Sequence, residues 1–254
     1  MQIVIIGSGN VATVLGGKLF AAGHAIVQVV ARRRAAAVVL AGEWGAEPAA
    51  EWAEIRRDAD CYLVAISDKA VAGLADHLHL PGRLVVHTAG AVPLLALAGV
   101  SERCGVLYPL QSLRNEIRPF PEVPLLIDAA TAADLELLAR LAGSIAQQVQ
   151  RADDAYRLKC HVAAVAVNNF SNFLYTLAND FCAREGIDFR LLLPIIKETA
   201  GRLEQYSPGA VQTGPAIRGD LGTMDRHLEL LAGYPQLKAV YELFSAGIAA
   251  YYRN

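Results

Sequence analysis

The opening stretch MQIVIIGSGNVATVLGGKLFAAG leaves little freedom in what this chain can fold into. Ile3, Val4, Ile5 and Ile6 form a continuous apolar run, the pattern of a strand buried on both faces. Gly7-Ser8-Gly9-Asn10-Val11-Ala12 follows at once and fits G-x-G-x-x-G/A. A helical apolar pattern then runs through Val11, Leu15 and Leu19 to Gly23. Each part has a mechanical reason. Gly7 permits the tight turn, Gly9 lets the backbone approach a pyrophosphate, and Ala12 keeps helix and strand in close contact. The helix N-terminus offers unpaired N–H groups to phosphate oxygens. Placed between a strand and a helix, the motif predicts a dinucleotide site at Gly7, Ser8, Gly9, Asn10 and Val11.

A second strand, HAIVQVVARRR, ends where the adenosine ribose of such a ligand belongs. An Asp or Glu there would hold both ribose hydroxyls, but the chain offers Arg32, Arg33 and Arg34, with no acid before Glu43. A guanidinium grips a 2′-phosphate, whereas a carboxylate repels it, so the expected cofactor is NADP, held by Arg32 and Arg33. The competing reading makes the arginines the start of a solvated helix. Further strands are expected at 61–66, 83–88, 104–109, 124–128 and 144–150, with helical stretches between several of them. That alternation predicts an α/β domain with a doubly wound parallel sheet. Ligands in such sheets bind beyond the carboxyl ends of the strands. Those ends carry Ile66-Ser67-Asp68, His87-Thr88-Ala89-Gly90 and Tyr108-Pro109-Leu110-Gln111. Ile66, Ser67, His87 and Thr88 are taken as cofactor contacts, with helix capping equally open for Ser67 and Asp68 and a packed, hydrogen-bonded neutral ring the competing reading for His87.

Charge and composition narrow the class. With 23 basic and 25 acidic residues, the net charge of −2 carries no basic stripe, and nucleic acid is not an expected partner. Hydrophobic residues make up 54%, yet the longest apolar run, 89–100, is broken by Gly90 and Pro93 and is too short to span a bilayer. Cys61, Cys104, Cys160 and Cys182 lie far apart without C-x-x-C spacing, as buried reduced thiols do. The six histidines show no ligand spacing with carboxylates or thiols, so no metal site is expected. Nothing at the start reads as a signal peptide, and the expectation is a cytoplasmic protein with no membrane partner.

After about Asp153 the strand-like runs stop, and a helical stretch of AYRLKCHVAAVAVNNFSNFLYTLANDFCAREG begins. At 3.6 residues per turn, His161, Asn168, Asn172, Tyr175 and Asn179 fall on one stripe of an otherwise apolar helix buried nearly all round. Buried amides need partners, so the stripe is either a satisfied network or the lining of a cleft. His161 is the first candidate for proton transfer, Lys159 the second, with a surface lysine on the first turn its competing reading, and a water held by Asn168 or Asn169 an alternative. The next helix, FRLLLPIIKETAGRLEQY, reads as core and dimer contact, with Pro194 able to kink it. SPGAVQTGPAIRGD reads as a loop, and LGTMDRHLELLAG as a short helix capped by Asp220. Thr213, Arg218, Asp220 and His227 crowd this segment. Arg218 can anchor a substrate carboxylate, with Asp220 and His227 orienting it. An internal Arg218–Asp220 ion pair is the competing reading.

With GSGNVA, HVAAVAVNNFSN and QTGPAIRGD…RHL on the page, the chain resembles the bacterial Rossmann-like NADP oxidoreductase family with a helical C-terminal domain of uncharacterised function. Its first half is similar to deazaflavin-dependent NADP oxidoreductases. More distantly the chain is similar to pyrroline-5-carboxylate reductase, ketopantoate reductase and 6-phosphogluconate dehydrogenase. The resemblance implies a Rossmann NADP-binding domain over 1–150 and an all-α, 6-phosphogluconate-dehydrogenase-like domain over 151–254. It also implies a cleft between them and a homodimer through the helical part. The hydroxyacid relatives use a helix Lys with an Asn four residues later; here Lys159 is followed at that spacing by Ala163, so their lysine mechanism does not carry over. The expected activity is NADP(H)-dependent oxidoreduction of a small carbonyl or imine substrate in that cleft. The alternatives are an NADP(H)-binding regulatory or sensor protein without turnover, and a reductase with a flavin or deazaflavin partner.

Overall fold

The computed structural model describes residues 1–253. Its first half alternates strands and helices: β1 (Gln2–Ile6), α1 (Asn10–Ala21), β2 (Ala25–Val30), α2 (Arg34–Gly42), β3 (Glu47–Ala49), β4 (Cys61–Val64) and α3 (Asp68–Ala72). These are followed by β5 (Leu84–His87), β6 (Cys104–Pro109), β7 (Leu125–Ala129), α4 (Ala132–Gly143) and β8 (Val149–Arg151). Helices fill the remainder: α5 (Asp154–Ala164), α6 (Ser171–Arg184), α7 (Leu193–Gly201), α8 (Pro215–Arg218), α9 (Leu221–Leu230) and α10 (Pro235–Tyr251). No helix among the described residues is long and apolar enough to cross a membrane.

The eight strands form one sheet in the order β3-β2-β1-β4-β5-β6-β7-β8. Every neighbouring pair is parallel except β6 and β7, which run antiparallel. The carboxyl ends of β1, β2, β4, β5 and β6 therefore share one edge, and the order reverses between β1 and β4, where α/β sheets bind ligands. Alternation along β1 divides the core. Ile3 and Ile5 pack with Val14 and Leu15 of α1, Leu40 of α2 and Leu138 of α4. Val4 and Ile6 pack on the opposite face with Tyr62, Val64, Leu74 and Leu97. Burial of each such side chain contributes about 1.5–3 kcal/mol. At one end of the sheet, Asp134, which is buried, accepts a hydrogen bond from Arg103 Nη2 at 2.6 Å.

The chain divides into two compact units, Met1–Ala166 and Val167–Asn254. In the second unit only Leu177, Cys182, Ala216, Leu231 and Ser245 are buried among the described residues. The expected burial nearly all round the long helix is therefore not met within this chain, because Val162, Val167, Phe170 and Phe173 are exposed. Leu191 and Ile195, expected in the core, are likewise exposed.

Other expectations shift at element ends. The strand expected at 144–150 forms only as Val149–Arg151, because Ser144 and Ile145 still bond back to α4 through Ser144 N to Arg140 O and Ile145 N to Ala142 O. Strand β3, unforeseen because it holds three residues including Pro48, pairs at the sheet edge where a missing N–H is tolerated. Pro194 does not kink a helix; it stands in the first turn of α7, where its lack of an N–H costs nothing. Between α5 and α6, residues Val165–Phe170 form a π-helical turn. Such a turn closes i→i+5 instead of i→i+4, so the expected single stripe from His161 to Asn179 loses its register at this point.

Candidate functional site

The glycine turn is built as the sequence predicts. Gly7 has φ +130°, and its N–H donates to Val30 O at 2.8 Å. A Cβ on Gly7 would sit 2.1 Å from Ala65 O, so only glycine lets β1 leave the sheet beside β4. Gly9 stands at the N-cap of α1 in extended conformation, with no side chain capping the helix. No atom lies within 4 Å of where its Cβ would be. The first-turn N–H groups have no intrahelical partner and carry the positive end of the helix dipole. Ser8 and Val11 are half-buried beside it, and Gly9 and Asn10 are exposed. This cradle fits a pyrophosphate.

Asn10 has a second role that the sequence did not reveal. Its Oδ1 accepts the N–H of Asn115 at 3.3 Å, and a Cβ on Gly17 would meet the Phe120 ring at 2.4 Å. The connection from β6 to β7 therefore lies along α1. Arg32 and Arg33 are exposed at the end of β2, and no carboxylate among the described residues pairs with either. Arg34 instead pairs with Glu54 at 2.9 Å.

At the end of β4, Ile66 is half-buried and Ser67 exposed. Ser67 occupies the N-cap of α3, but its side chain makes no capping hydrogen bond, so the capping role is absent. At the end of β5, Thr88 is buried with its Oγ1 donating to Val64 O at 3.4 Å. His87 corrects the expectation of a cofactor contact. Its ring is fully enclosed, because β5 is buried on both faces. Nδ1 accepts the N–H of Ala89 at 3.2 Å, and Nε2 has no hydrogen-bond partner. Burial lowers the His87 pKa to about 4, reinforced by the Arg157 charge and partly offset by the Pro93 carbonyl and Asp154. His87 is a neutral support beneath the edge.

His161 lies in the same unit and meets that edge directly. Its Nδ1 is 3.0 Å from the Tyr108 hydroxyl, and the two rings meet edge to face. Gly90 makes room for them: a Cβ there would lie 2.8 Å from His161 Nδ1 and 2.9 Å from the Tyr108 ring. Burial raises the Tyr108 pKa, with Cys160 and Asp68 adding to the effect. A phenol that resists ionisation, bonded to an imidazole, can pass a proton without keeping the charge.

The remaining candidates are distributed differently. Lys159 is exposed on α5, two residues before His161. Asn168 and Asn169 are exposed within the π-helical turn. Asp220 caps α9 as expected, with Oδ1 accepting Thr223 N at 3.1 Å and Oδ2 accepting Thr223 Oγ1 at 2.8 Å. No Arg218–Asp220 ion pair is formed: the Asp220 carboxylate bonds Thr223, and Arg218 contributes only as a more distant charge that helps lower the Asp220 pKa, after the Thr223 hydrogen bonds. His227 does not orient this loop; its Nδ1 bonds the Tyr241 hydroxyl at 2.9 Å and ties α9 to α10. Arg218 lines a groove of about 450 Å³ within the second unit, together with Met224, Tyr241 and Tyr252.

Three residues outside the expected set belong to the site. Tyr108 and Gly90 were visible only as strand-end residues, since nothing in their spacing joins them to His161. Arg157, four residues before His161, is the one buried residue of α5, and nothing in the sequence sets it apart from a surface arginine.

Residues 2–90 match the family of coenzyme F420-dependent NADP oxidoreductases, and residues 123–248 match a domain of unknown function, DUF2520. The chain is similar to a candidate NADP oxidoreductase from Bacteroides fragilis, with 36% identity over 98% of both chains and a TM-score of 0.91. It shares its fold with an imine reductase from Myxococcus stipitatus solved with NADP+, at 16% identity, 98% and 93% coverage and TM-score 0.67. It also shares it with a reductive aminase from Aspergillus terreus solved with NADPH and ethyl-5-oxohexanoate, at 18% identity, 99% coverage of both chains and TM-score 0.69. No curated protein matches the sequence significantly.

Proposed function

Because the chain belongs to the NADP oxidoreductase family, we propose that it is an NADPH-dependent reductase of a small carbonyl or imine compound. The observation that carries this reading is the Tyr108–His161 pair, 3.0 Å apart, on the sheet edge that also bears the glycine turn. The fold shared with an imine reductase and a reductive aminase supports the substrate class. Gly7, Gly9 and the first turn of α1 take the pyrophosphate, and Arg32 and Arg33 take the 2′-phosphate.

NADPH, when bound, supplies a hydride. Addition of hydride to a C=O or C=N carbon leaves an electron pair on the heteroatom, which a proton must quench. The protonated His161 donates from Nδ1 to the Tyr108 oxygen while the Tyr108 hydroxyl donates onward to that heteroatom. One O–H bond breaks as another forms, and the imidazole ends neutral. Tyr108 begins and ends as a phenol, in keeping with the burial that opposes its ionisation.

Pairing of two copies through the helical unit is supported by the second unit's having five buried residues among those described, few for helices that each carry an apolar face. Light scattering behind size exclusion tests it, and a monomer at micromolar concentration refutes it.

The functional reading is tested by titrating the protein with NADPH and NADH, then assaying NADPH oxidation with 1-pyrroline and with cyclohexanone. Tenfold or greater preference for NADPH, about 1.4 kcal/mol, is expected. Tyr108→Phe and His161→Asn should each lower kcat by about 100-fold or more while NADPH affinity stays within twofold. Undiminished turnover in both variants would overturn the proton path. Tight NADPH binding without turnover on any carbonyl or imine would replace the reductase by a cofactor-binding protein.

A further inference from the structure

We infer that Arg157 is a positioning residue: its buried guanidinium rivets α5 to the loop after β5 and thereby fixes where His161 meets Tyr108. Arg157 is 1% exposed and heads the largest fully buried side chains. Its Nη2 donates to Val92 O at 2.5 Å and to Asp154 Oδ1 at 2.7 Å. The same Asp154 oxygen accepts Leu94 N at 2.9 Å. Two side chains in the first turns of α5 thus hold both ends of the short segment 92–94. One turn further along the helix, His161 Nδ1 lies against Gly90 and the Tyr108 hydroxyl. The segment clamped by Arg157 begins two residues after the glycine on which His161 rests, so any slip of α5 along this loop moves the imidazole against the phenol.

The energetics point the same way. Arg157 Nε and Nη1 have no hydrogen-bond partner, and neither does Nε2 of the buried His87 nearby. A buried cation with unused donors costs the fold stability, and an apolar side chain of the same volume would serve packing better. What an apolar side chain cannot do is grip the Val92 carbonyl. Groups held at a cost in stability around a reacting centre are the mark of geometry being fixed for chemistry. The importance of that geometry for turnover rests on the reading of His161 as the proton-supplying group; the clamp itself does not.

The experiment uses the full-length protein labelled with 15N-histidine, with the His161 imidazole resonances identified by their loss in His161→Asn. Arg157→Lys, Arg157→Met and Asp154→Asn are compared with the wild type. Asp154→Asn keeps an oxygen for Leu94 N on an exposed residue, so it reports even where an Arg157 variant fails to fold. The expected result is a displaced Nδ1 resonance of His161 in Arg157→Met and Asp154→Asn, with partial return toward the wild-type shift in Arg157→Lys. Dissociation constants for NADPH should stay within twofold. With a reducible substrate in hand, kcat should fall at least tenfold in Arg157→Met and less in Arg157→Lys, with KM for NADPH unchanged. A His161 signature identical to the wild type in folded Arg157→Met or in Asp154→Asn overturns the inference. A wild type without turnover leaves the spectroscopic comparison fully decisive for the clamp and refutes only the reductase reading.

Discussion

The pH dependence of stability offers a quantitative check on the ground beneath the site. His87 is enclosed on β5 and its pKa is lowered from 6.5 to about 4, by burial first and the Arg157 charge second. A base with a depressed folded pKa must be neutral in the native state. Between the two values the unfolded chain binds a proton that the folded chain refuses, so stability falls as pH drops from the unfolded value toward the folded one. Above about pH 6.5 the penalty is absent, and at pH 5 it amounts to ~2 kcal/mol, rising to ~3 kcal/mol near pH 4. Urea unfolding from pH 7.5 to 4.5 would be measured for the wild type and His87→Asn, whose Oδ1 can still accept the Ala89 N–H. Other groups titrate in this window, including His24, which desolvation and then the amino terminus hold below its ordinary value. They are common to both proteins and cancel in the difference. The variant starts less stable at pH 7.5 because it leaves a void, and the gap should narrow by ~2 kcal/mol on reaching pH 5. Parallel curves would mean that His87 is protonated in the folded protein, and the account of a neutral ring beneath the edge would be wrong.

Other outcomes follow from single contacts. Gly90→Ala drives a Cβ to 2.8 Å from His161 Nδ1. It should cost about 1–3 kcal/mol in urea unfolding and lower turnover by roughly 100-fold with NADPH affinity kept. Gly7→Ala places a Cβ 2.1 Å from the Ala65 carbonyl at φ +130°. Calorimetry should show NADPH affinity reduced by at least about tenfold, and thermal unfolding a loss of about 3 kcal/mol. Asp134→Asn strips a buried carboxylate from Arg103, whose guanidinium is 39% exposed. Solvent around that partner holds the expected loss to about 2 kcal/mol in chemical denaturation.

How far the sequence could be read depended on the range of the forces involved. The strand–glycine–helix unit was legible because each of its constraints is local: apolar runs, a positive φ and a short side chain at Ala12. The sheet and its strand-end edge followed from the same periodicities. Position singled out Arg32 and Arg33 for the cofactor, while the pairing of Arg34 with Glu54 is a contact across the fold that position does not show. Helical periodicity failed at 165–170, where six residues closing a wider turn look like any other α-helical segment. Burial failed in the second unit for a different reason. An apolar pattern says that a face is to be covered, not by which chain, and Leu191 and Ile195 stand uncovered in this one. Tyr108, Gly90 and Arg157 were hidden because their roles exist only through contacts across the fold. Distance along the chain carries no trace of such contacts.

Gly90, Tyr108 and His161 come from two neighbouring strand ends and a helix, separated by 18 and 53 positions in the chain. No local segment contains even a fragment of the pair with its seat, so the constellation has no existence in a partly folded chain. Closing such loops is paid in chain entropy before any contact returns it. During synthesis, the glycine turn can form once β4 has emerged, whereas the Tyr108–His161 pair must wait for α5 to dock. The Tyr108–His161 contact is thus a late acquisition, and its formation, more than that of secondary structure, marks the moment at which the first unit is finished.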